Sequence, residues 1–241
     1  MATFDEIRRD ALAILADCCS GLHRMRRSAE SDVVRDARNQ LLDGRLTAVT
    51  IGEYKRGKSS LAGALVEDPA LFPVDAAITT SLITSVEYAA EEQITVFLDE
   101  KESSVPQWIT RDQIADFVTE QGNPGNKRAA RVLRIQTPNE RLKHGLVLLD
   151  TPGVGGLNAA HTATTYAVPS SADVGIFVID ALTPLTMQEL SVLETTAGLG
   201  ARLLFVITKI DQVTDYDVAA SNAKMKLTSV LGPDVGASIP V

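Results

Sequence analysis

LTAVTIGEYKRGKSSLAGAL, residues 46–65 of a 241-residue chain, joins an apolar run to a glycine-rich loop and then to a run of small residues. The loop fits the pattern G-x-x-x-x-G-K-[ST], and its flanks predict a strand before it and a helix after it. In this setting the glycines let backbone N–H groups wrap a phosphate chain, and the helix offers the positive end of its dipole. The sequence therefore predicts a phosphate-binding loop rather than an ordinary surface turn.

This loop supplies most of the predicted nucleotide contacts. Lys58 is expected to lie against the β- and γ-phosphates as a catalytic group, and Ser59 is expected to bind Mg²⁺. The predicted nucleotide-contacting residues of the loop and the helix start are Gly52, Tyr54, Lys55, Arg56, Gly57, Lys58, Ser59 and Ser60.

A second motif, Asp150-Thr151-Pro152-Gly153, follows the apolar run GLVLL at 145–149. A carboxylate at the end of a buried strand can hold Mg²⁺ through water, and the Gly153 N–H can reach the terminal phosphate. Alone, this tetrapeptide is more often a plain turn. Behind a phosphate-binding loop, it predicts Asp150 as a metal ligand and Gly153 as a catalytic group.

The third motif, Thr208-Lys209-Ile210-Asp211, closes the apolar run LLFVIT at 203–208. Asp211 can accept hydrogen bonds from the guanine N1–H and exocyclic amine, which adenine lacks, and such a mismatch discriminates by roughly 10⁴-fold. Lys209 is expected to lie along the base, with Thr208 beside it. Asp150 and Asp211 are 61 residues apart, about two βαβ units of ~30 residues each. The motifs should therefore return to one edge of a sheet, and they predict a site for GTP and Mg²⁺.

From residue 45 onward, strand-like and helix-like runs alternate, which predicts an α/β protein with a mostly parallel, doubly wound sheet flanked by helices, as in P-loop NTPases. Thr186 and Glu189 have the spacing of a helix capping box. The predicted strands are 46–51, 82–88, 94–98, 131–136, 145–149, 174–179, 203–208 and 238–241, and the predicted helices are 58–66, 111–121, 186–197 and 216–231.

The N-terminal residues have a different pattern. Residues 3–43 carry apolar side chains at helical spacing, and Asp43-Gly44 is a stop signal. We therefore expect an N-terminal helical segment over 1–44, part of a helical bundle or neck, followed by a nucleotide-binding domain over 45–241.

Charge and cysteine content narrow the class of protein. The formal net charge is −8, and it arises entirely after residue 50 because residues 1–50 hold eight arginines and eight acidic residues. An acidic body disfavours adhesion to nucleic acid or anionic lipid. The neighbouring Cys18 and Cys19 offer no disulfide framework, and the N-terminus lacks the layout of a signal peptide. These features favour a cytoplasmic location.

The phrases GEYKRGKSSLAGAL, Thr79-Thr80 with SLITSVEY, LVLLDTPGVGGL and VITKID together resemble the GTPase domain of bacterial dynamin-like proteins, over about residues 45–241. The resemblance implies hydrolysis of GTP to GDP and phosphate, pairing of two GTPase domains through their nucleotide faces, and membrane remodelling by the full-length protein at the inner face of the cell membrane. It further implies that Thr80, or alternatively Thr79, closes on Mg²⁺ and the γ-phosphate as a metal-binding and catalytic residue. The long segment between Gly52 and Asp150 is similar to the extra strand and helix of that family.

Three residues depart from the patterns of known GTPases. Val154 stands where Ras-like GTPases place a water-orienting Gln, so intrinsic hydrolysis should be slow without a second domain. Lys55 stands where many dynamin-like loops carry Ser or Asn that helps to hold a monovalent cation; its ammonium either replaces that cation in catalysis or points into solvent. Arg56 either reaches a neighbour's phosphates as an arginine finger in trans or is a solvated loop residue.

The resemblance also bears on the chain end and the partners. Relatives continue with a strand, a base-contacting loop, a stalk and a membrane-contacting paddle, whereas this chain ends at Ile239-Pro240-Val241. We therefore expect a domain truncated at its C-terminus, with membrane lipids reached only through absent regions. Two other functions stay open: a regulatory or assembly GTPase of the translation type, which the acidic body disfavours, and a GTP-gated interaction module with negligible turnover.

Overall fold

The computed structural model describes residues 4–73, 82–98, 106–153, 172–198 and 202–232. The chain divides into two compact units, Met1–Arg45 and Leu46–Val241. Among the helices of the described ranges, none combines the length and apolar character that crossing a membrane requires.

The first unit is a pair of packed helices, α1 (Phe4–Arg24) and α2 (Ser28–Asp43). The helical segment predicted over 3–43 is divided at Met25–Arg27, where Arg26 takes a left-handed φ of 57° and the chain reverses. The predicted stop is confirmed, because α2 ends at Asp43 and Gly44 has a φ of 63°. The Arg8 guanidinium donates to the last carbonyl oxygens of α2, at 3.0 Å to Leu41 and 2.7 Å to Leu42.

The second unit is built on an eight-stranded sheet with the strand order β4-β3-β5-β2-β6-β1-β7-β8. The strands are β1 (Leu46–Ile51), β2 (Ile83–Tyr88), β3 (Gln93–Leu98), β4 (Gln107–Ile109), β5 (Ala130–Thr137), β6 (Leu146–Asp150), β7 (Val174–Asp180) and β8 (Arg202–Thr208). The longer helices are α3 (Lys58–Leu65), α5 (Met187–Gly198) and α6 (Tyr216–Leu231), and a single turn, α4 (Ala115–Val118), lies between β4 and β5.

The sheet is mixed, with one half that is parallel throughout and one half whose strands run in both directions. β6, β1, β7 and β8 are mutually parallel. β2 pairs antiparallel with β6 and parallel with β5, and β3 is antiparallel to both of its neighbours. The predicted α/β class of P-loop NTPases with a helix-flanked sheet is confirmed, and its parallel part is the half that carries the motifs.

Two apolar clusters fill the core. One contains Val86, Leu133 and Leu148 and extends under α3 and α4. The other packs Phe177 of β7 against Val192 and Leu193 of α5, with Leu227 of α6. Strands buried in this way are continuously apolar in sequence, which is why they could be predicted.

One predicted helix differs from the structure, one strand was not predicted, and one predicted strand lies outside the described residues. The helix predicted over 111–121 is instead a 3-10 turn at Arg111–Gln113 followed by α4. Thr119 has an extended backbone, and a Cβ at Gly122 would overlap the Ala115 carbonyl, so the chain turns back there. The strand β4 was not predicted, because three residues are too few to show a pattern. The predicted strand 238–241 lies outside the described residues.

Candidate nucleotide site

Four adjacent parallel strands bring the sequence motifs to one edge of the sheet. β6, β1, β7 and β8 lie side by side and run in the same direction, so their carboxyl ends share that edge. The glycine-rich loop follows β1, the Asp150 motif closes β6, and the Thr208 motif closes β8. Ligands of α/β proteins bind in the crevice at this edge.

The loop between β1 and α3 is turned tightly by its two glycines. Gly52 has a φ of 147°, and a Cβ there would overlap the carbonyl oxygen of Val178 in β7. Gly57 has a φ of 94°, which side chains rarely allow. Lys55 also takes a left-handed φ, of 61°. The glycines are thus required by the close approach and by the turn, as a phosphate-wrapping loop demands.

Lys58 is the first residue of α3 and is buried at the centre of the loop. Its Nζ donates a hydrogen bond of 2.9 Å to the carbonyl oxygen of Glu53. Burial lowers the pKa of the Lys58 ammonium, and the neighbouring Asp150 carboxylate opposes that effect. The Glu53 carbonyl therefore holds this ammonium within the loop, near the charge of the Asp150 carboxylate.

Ser59 and Asp150 bring together a hydroxyl and a carboxylate. Ser59 Oγ donates to one Asp150 oxygen at 2.6 Å, and Thr50 Oγ1 donates to the other at 2.7 Å. Asp150 is 1% exposed; burial raises the pKa of its carboxyl, while the Lys58 charge and these two hydrogen bonds oppose the rise.

These two residues fit a magnesium ion. Mg²⁺ in phosphate sites is held by one or two protein oxygen ligands and keeps several waters. Ser59 and Asp150 are such a set. Within the described ranges, no group of three or more His, Cys, Asp or Glu side chains is placed to hold a metal ion.

The segment after β6 packs backbone to backbone on the glycine-rich loop. A Cβ at Gly153 would lie 2.7 Å from the nitrogen and 2.9 Å from the Cα of Tyr54. Thr151 Oγ1 donates to the carbonyl oxygen of Thr50 at 2.6 Å. Gly153 therefore lies directly beside the glycine-rich loop.

The Thr208 motif is hydrogen-bonded to the same loop. Thr208 Oγ1 donates to the carbonyl oxygen of Arg56 at 2.6 Å, and Lys209 Nζ donates to that of Lys55 at 2.7 Å. Lys209 has a left-handed φ of 57°, and the exposed Asp211 follows it in a 3-10 turn, Ile210–Gln212. The group predicted to recognise the base and the loop predicted to bind phosphate are thus tied by two contacts.

The remaining predicted contacts of the loop lie at its surface. Tyr54 is 36% exposed, and the Lys55 ammonium lies 5.3 Å from the centroid of its ring. Ser60 is the third residue of α3 and is exposed. Thr80, its alternative Thr79, and Val154 lie outside the described residues.

Both interpretations of the Arg56 side chain are wrong, because its guanidinium is buried and 2% exposed. Its Nε and Nη2 donate to the two carboxylate oxygens of Glu189, each at 2.8 Å, and its Nη1 lies 3.2 Å from Asp180. A guanidinium held in this way is neither solvated nor free to reach another molecule. Only the backbone of Arg56 remains a candidate nucleotide contact.

The contacts of Asp180 and Glu189 with Arg56 were not predicted from the sequence, in which neither residue has an evident partner at metal-ligand spacing. One signal was present: Asp180 ends an apolar strand, as Asp150 does, and so had to lie at the same edge. The capping box of Thr186 and Glu189 is confirmed, with the Thr186 N–H donating to Glu189 at 2.9 Å and the Glu189 N–H donating to Thr186 Oγ1 at 3.2 Å. The capping-box spacing does not reveal that Glu189 also binds Arg56.

Comparisons with known proteins agree with this geometry. A family model described as the Dynamin family matches residues 48–210. An uncharacterised protein in the xynA 3′ region of Caldicellulosiruptor is 31% identical over 170 residues, which are 70% of this chain and 41% of that protein. A bacterial dynamin-like protein of Nostoc punctiforme is 25% identical over 212 residues, 84% of this chain and 30% of the other. The chain therefore spans less than half of the length of these two relatives.

A solved structure of an oligomerised bacterial dynamin pair has the same fold. It superposes with a TM-score of 0.59 at 17% identity, over 83% of this chain and 32% of the other. At this identity the likeness concerns the fold.

Proposed function

The chain belongs to the dynamin family of GTPases, and we propose that it hydrolyses GTP to GDP and phosphate with Mg²⁺. The observation that carries the proposal is the pair of hydrogen bonds from Thr208 and Lys209 to the carbonyls of the glycine-rich loop. In this proposal, these bonds keep the carboxylate that recognises guanine, Asp211, and the lysine that binds phosphate, Lys58, at the same edge of the sheet.

Each group has a role in this proposal. Asp211 accepts the guanine N–H groups, and Lys209 lies along the base. Lys58 moves from the Glu53 carbonyl to the β- and γ-phosphates, and the Gly153 N–H donates to the γ-phosphate. These donors stabilise charge that develops on the phosphate oxygens as the bond breaks.

Mg²⁺ bound by Ser59, Asp150 and Thr80 would neutralise charge on the β- and γ-phosphates. Ser59 and Asp150 are already 2.6 Å apart. The role of Thr80 rests on the family resemblance.

We propose that two such chains pair through their nucleotide faces and that hydrolysis is slow in a single chain. The support is Val154 in the place of a water-orienting Gln, together with the oligomerised dynamin pair that shares the fold.

The first experiment is the GTP hydrolysis rate per chain from sub-micromolar to tens of micromolar protein, with ATP as the control nucleotide and Lys58→Ala as the inactive control. A rate per chain that climbs with concentration is expected. A flat and very slow rate with intact GTP binding contradicts pairing and favours the gated module, and stimulation by ribosomes or RNA instead of concentration favours a translation-type GTPase.

Membrane remodelling is a proposal for the full-length protein. The oligomerised bacterial dynamin pair that shares this fold is described as sensing and tethering membranes over a long range. We propose the same class of process for a longer protein that contains this domain, acting from the cytoplasm at the inner face of the cell membrane.

We propose that the Lys55 ammonium takes the place of a monovalent cation. Lys55 is exposed, and its own backbone is left-handed. The carbonyl oxygen of Lys55 accepts a hydrogen bond from Lys209 Nζ. Hydrolysis should then change by less than about twofold when K⁺ replaces Na⁺. A several-fold gain in K⁺ would show that the ammonium points into solvent instead.

A further inference from the structure

Arg56 is the centre of a buried cluster behind the glycine-rich loop, which we call the Arg56 clamp. Its members are Arg56, Glu189, Asp180 and the carbonyl groups of Thr183 and Pro184. The guanidinium donates to Thr183 at 3.0 Å and to Pro184 at 3.1 Å, in addition to its two bonds to Glu189. One side chain of the loop thus holds the whole turn between β7 and α5.

Glu189 takes part in two sets of contacts. It closes the capping box at the start of α5, and the same carboxylate accepts the backbone N–H of Glu53 in the glycine-rich loop, at 3.2 Å. Glu53 in turn accepts a hydrogen bond of 2.7 Å from the Thr186 hydroxyl. Because Glu189 is fully buried, water cannot replace either set of contacts.

Asp180 extends the clamp to the base-binding motif. One of its oxygens lies 3.2 Å from the Arg56 guanidinium, and the other accepts from Lys209 Nζ at 2.9 Å. The same ammonium bonds the Lys55 carbonyl. A continuous chain of charged contacts therefore joins the loop to the lysine that is expected to lie along the base.

From these contacts we infer that Arg56 is a positioning residue, which holds the glycine-rich loop and Lys209 in the arrangement that binds a guanine nucleotide. The inference deepens the proposed function and rests on it. A bidentate guanidinium fixes direction as well as distance, which a lysine cannot do. The side chain is buried among protein groups and is not exposed to a ligand, so its effect is on the shape of the site.

The test uses Arg56→Lys, Glu189→Gln and the double variant, with Arg141→Lys as the matched control. Arg141 pairs with Glu67 at the surface, and its conservative change should alter GDP affinity by less than about twofold. GDP affinity, titrated with a fluorescent GDP analogue, should fall at least about tenfold in each clamp variant. The double variant should lose less GDP binding free energy than the two single losses added together, because both single changes disrupt the shared Arg56–Glu189 contact.

Hydrogen exchange in the nucleotide-free protein separates positioning from general loss of stability. The amides of 52–60 and 183–190 should exchange at least about tenfold faster in Arg56→Lys, while those of β2 and β3 stay unchanged. Faster exchange throughout the sheet would show a merely structural role and would overturn the inference.

A second double variant, Arg56→Met with Glu189→Leu, tests the inference if the polar variants above fail to fold. It replaces a buried ion pair by apolar groups and leaves neither charge alone, and it should fold yet still bind GDP at least about tenfold more weakly. GDP affinity within about twofold of the original in a folded clamp variant would refute the clamp. An original chain that binds GDP without hydrolysing GTP refutes the proposed hydrolysis alone, whereas one that binds no guanine nucleotide refutes both.

Discussion

Replacing Thr208 by valine removes the hydroxyl that joins the base-binding motif to the glycine-rich loop and keeps the shape of the side chain. That hydroxyl donates to the Arg56 carbonyl at 2.6 Å. A net hydrogen bond contributes about 1 kcal/mol, and a partly buried carbonyl left without its donor raises the cost to about 1–3 kcal/mol. Because Thr208 is half-buried, we expect a loss of about 1–2 kcal/mol.

This loss should appear in two measurements. Affinity for GDP should fall by about 5- to 30-fold, the factor that corresponds to 1–2 kcal/mol. The unfolding midpoint should fall by roughly 2–4 °C per kcal/mol, the scale for domains of this size. Titration with a fluorescent GDP analogue and a thermal unfolding scan provide these two values.

Two control variants isolate the contact. Thr208→Ser keeps the hydroxyl and should bind GDP nearly as well as the original. Thr196→Val removes another buried threonine hydroxyl, which donates to the Val192 carbonyl inside α5, and should leave GDP affinity unchanged. If Thr208→Val binds GDP as tightly as Thr208→Ser, the hydrogen bond from Thr208 to the loop contributes nothing to binding and the reasoning fails.

Two further predictions concern the same edge. Gly153→Ala places a methyl carbon 2.7 Å from the backbone nitrogen of Tyr54. The change should cost about 1–3 kcal/mol of stability and abolish most GTP hydrolysis. A variant with normal turnover would contradict this close packing. Burial raises the pKa of Asp180, but the Lys209 hydrogen bond, a backbone N–H and the Arg56 charge outweigh it and hold the pKa below the ordinary 3.8. The stabilisation by the Asp180 charge is therefore complete above about pH 5 and is lost as the pH falls below about 4. Urea unfolding of the original and Asp180→Asn should show a difference in unfolding free energy that shrinks below about pH 4; a constant difference would disprove the assignment.

The parallel half of the sheet could be predicted from sequence because β1, β6 and β7 are largely buried and are therefore mostly apolar runs, and the less buried β8 is also an apolar run. The three motifs follow β1, β6 and β8, so the motifs and the edge that they share could be inferred together. The helix predicted over 111–121 shows the opposite case. Its apolar spacing is helical, but the close approach of Gly122 to the Ala115 carbonyl depends on tertiary packing that no local pattern contains.

The Arg56 clamp could not be predicted, because its partner Glu189 lies 133 residues away along the chain. In a loop that is predicted to bind anions, the charge of an arginine favours an exposed side chain that contacts the anion or the solvent. Burial becomes favourable only when two carboxylates and two carbonyls converge on the guanidinium, and that convergence is a property of the folded sheet edge.

The pairing of β2 on both of its sides has a consequence for how its position is fixed. Thr84 near the start of β2 is paired with Asp150, and Ile83 is paired with Val132 on the other side. Ladders on both sides fix the register of this strand. Leu71 and Phe72, which precede this strand in the chain, are buried in the same apolar cluster as Val86. The position of β2 beside Asp150 is therefore set by sheet pairing and by core packing together, so a change in either should displace Thr84 from the Asp150 carboxylate.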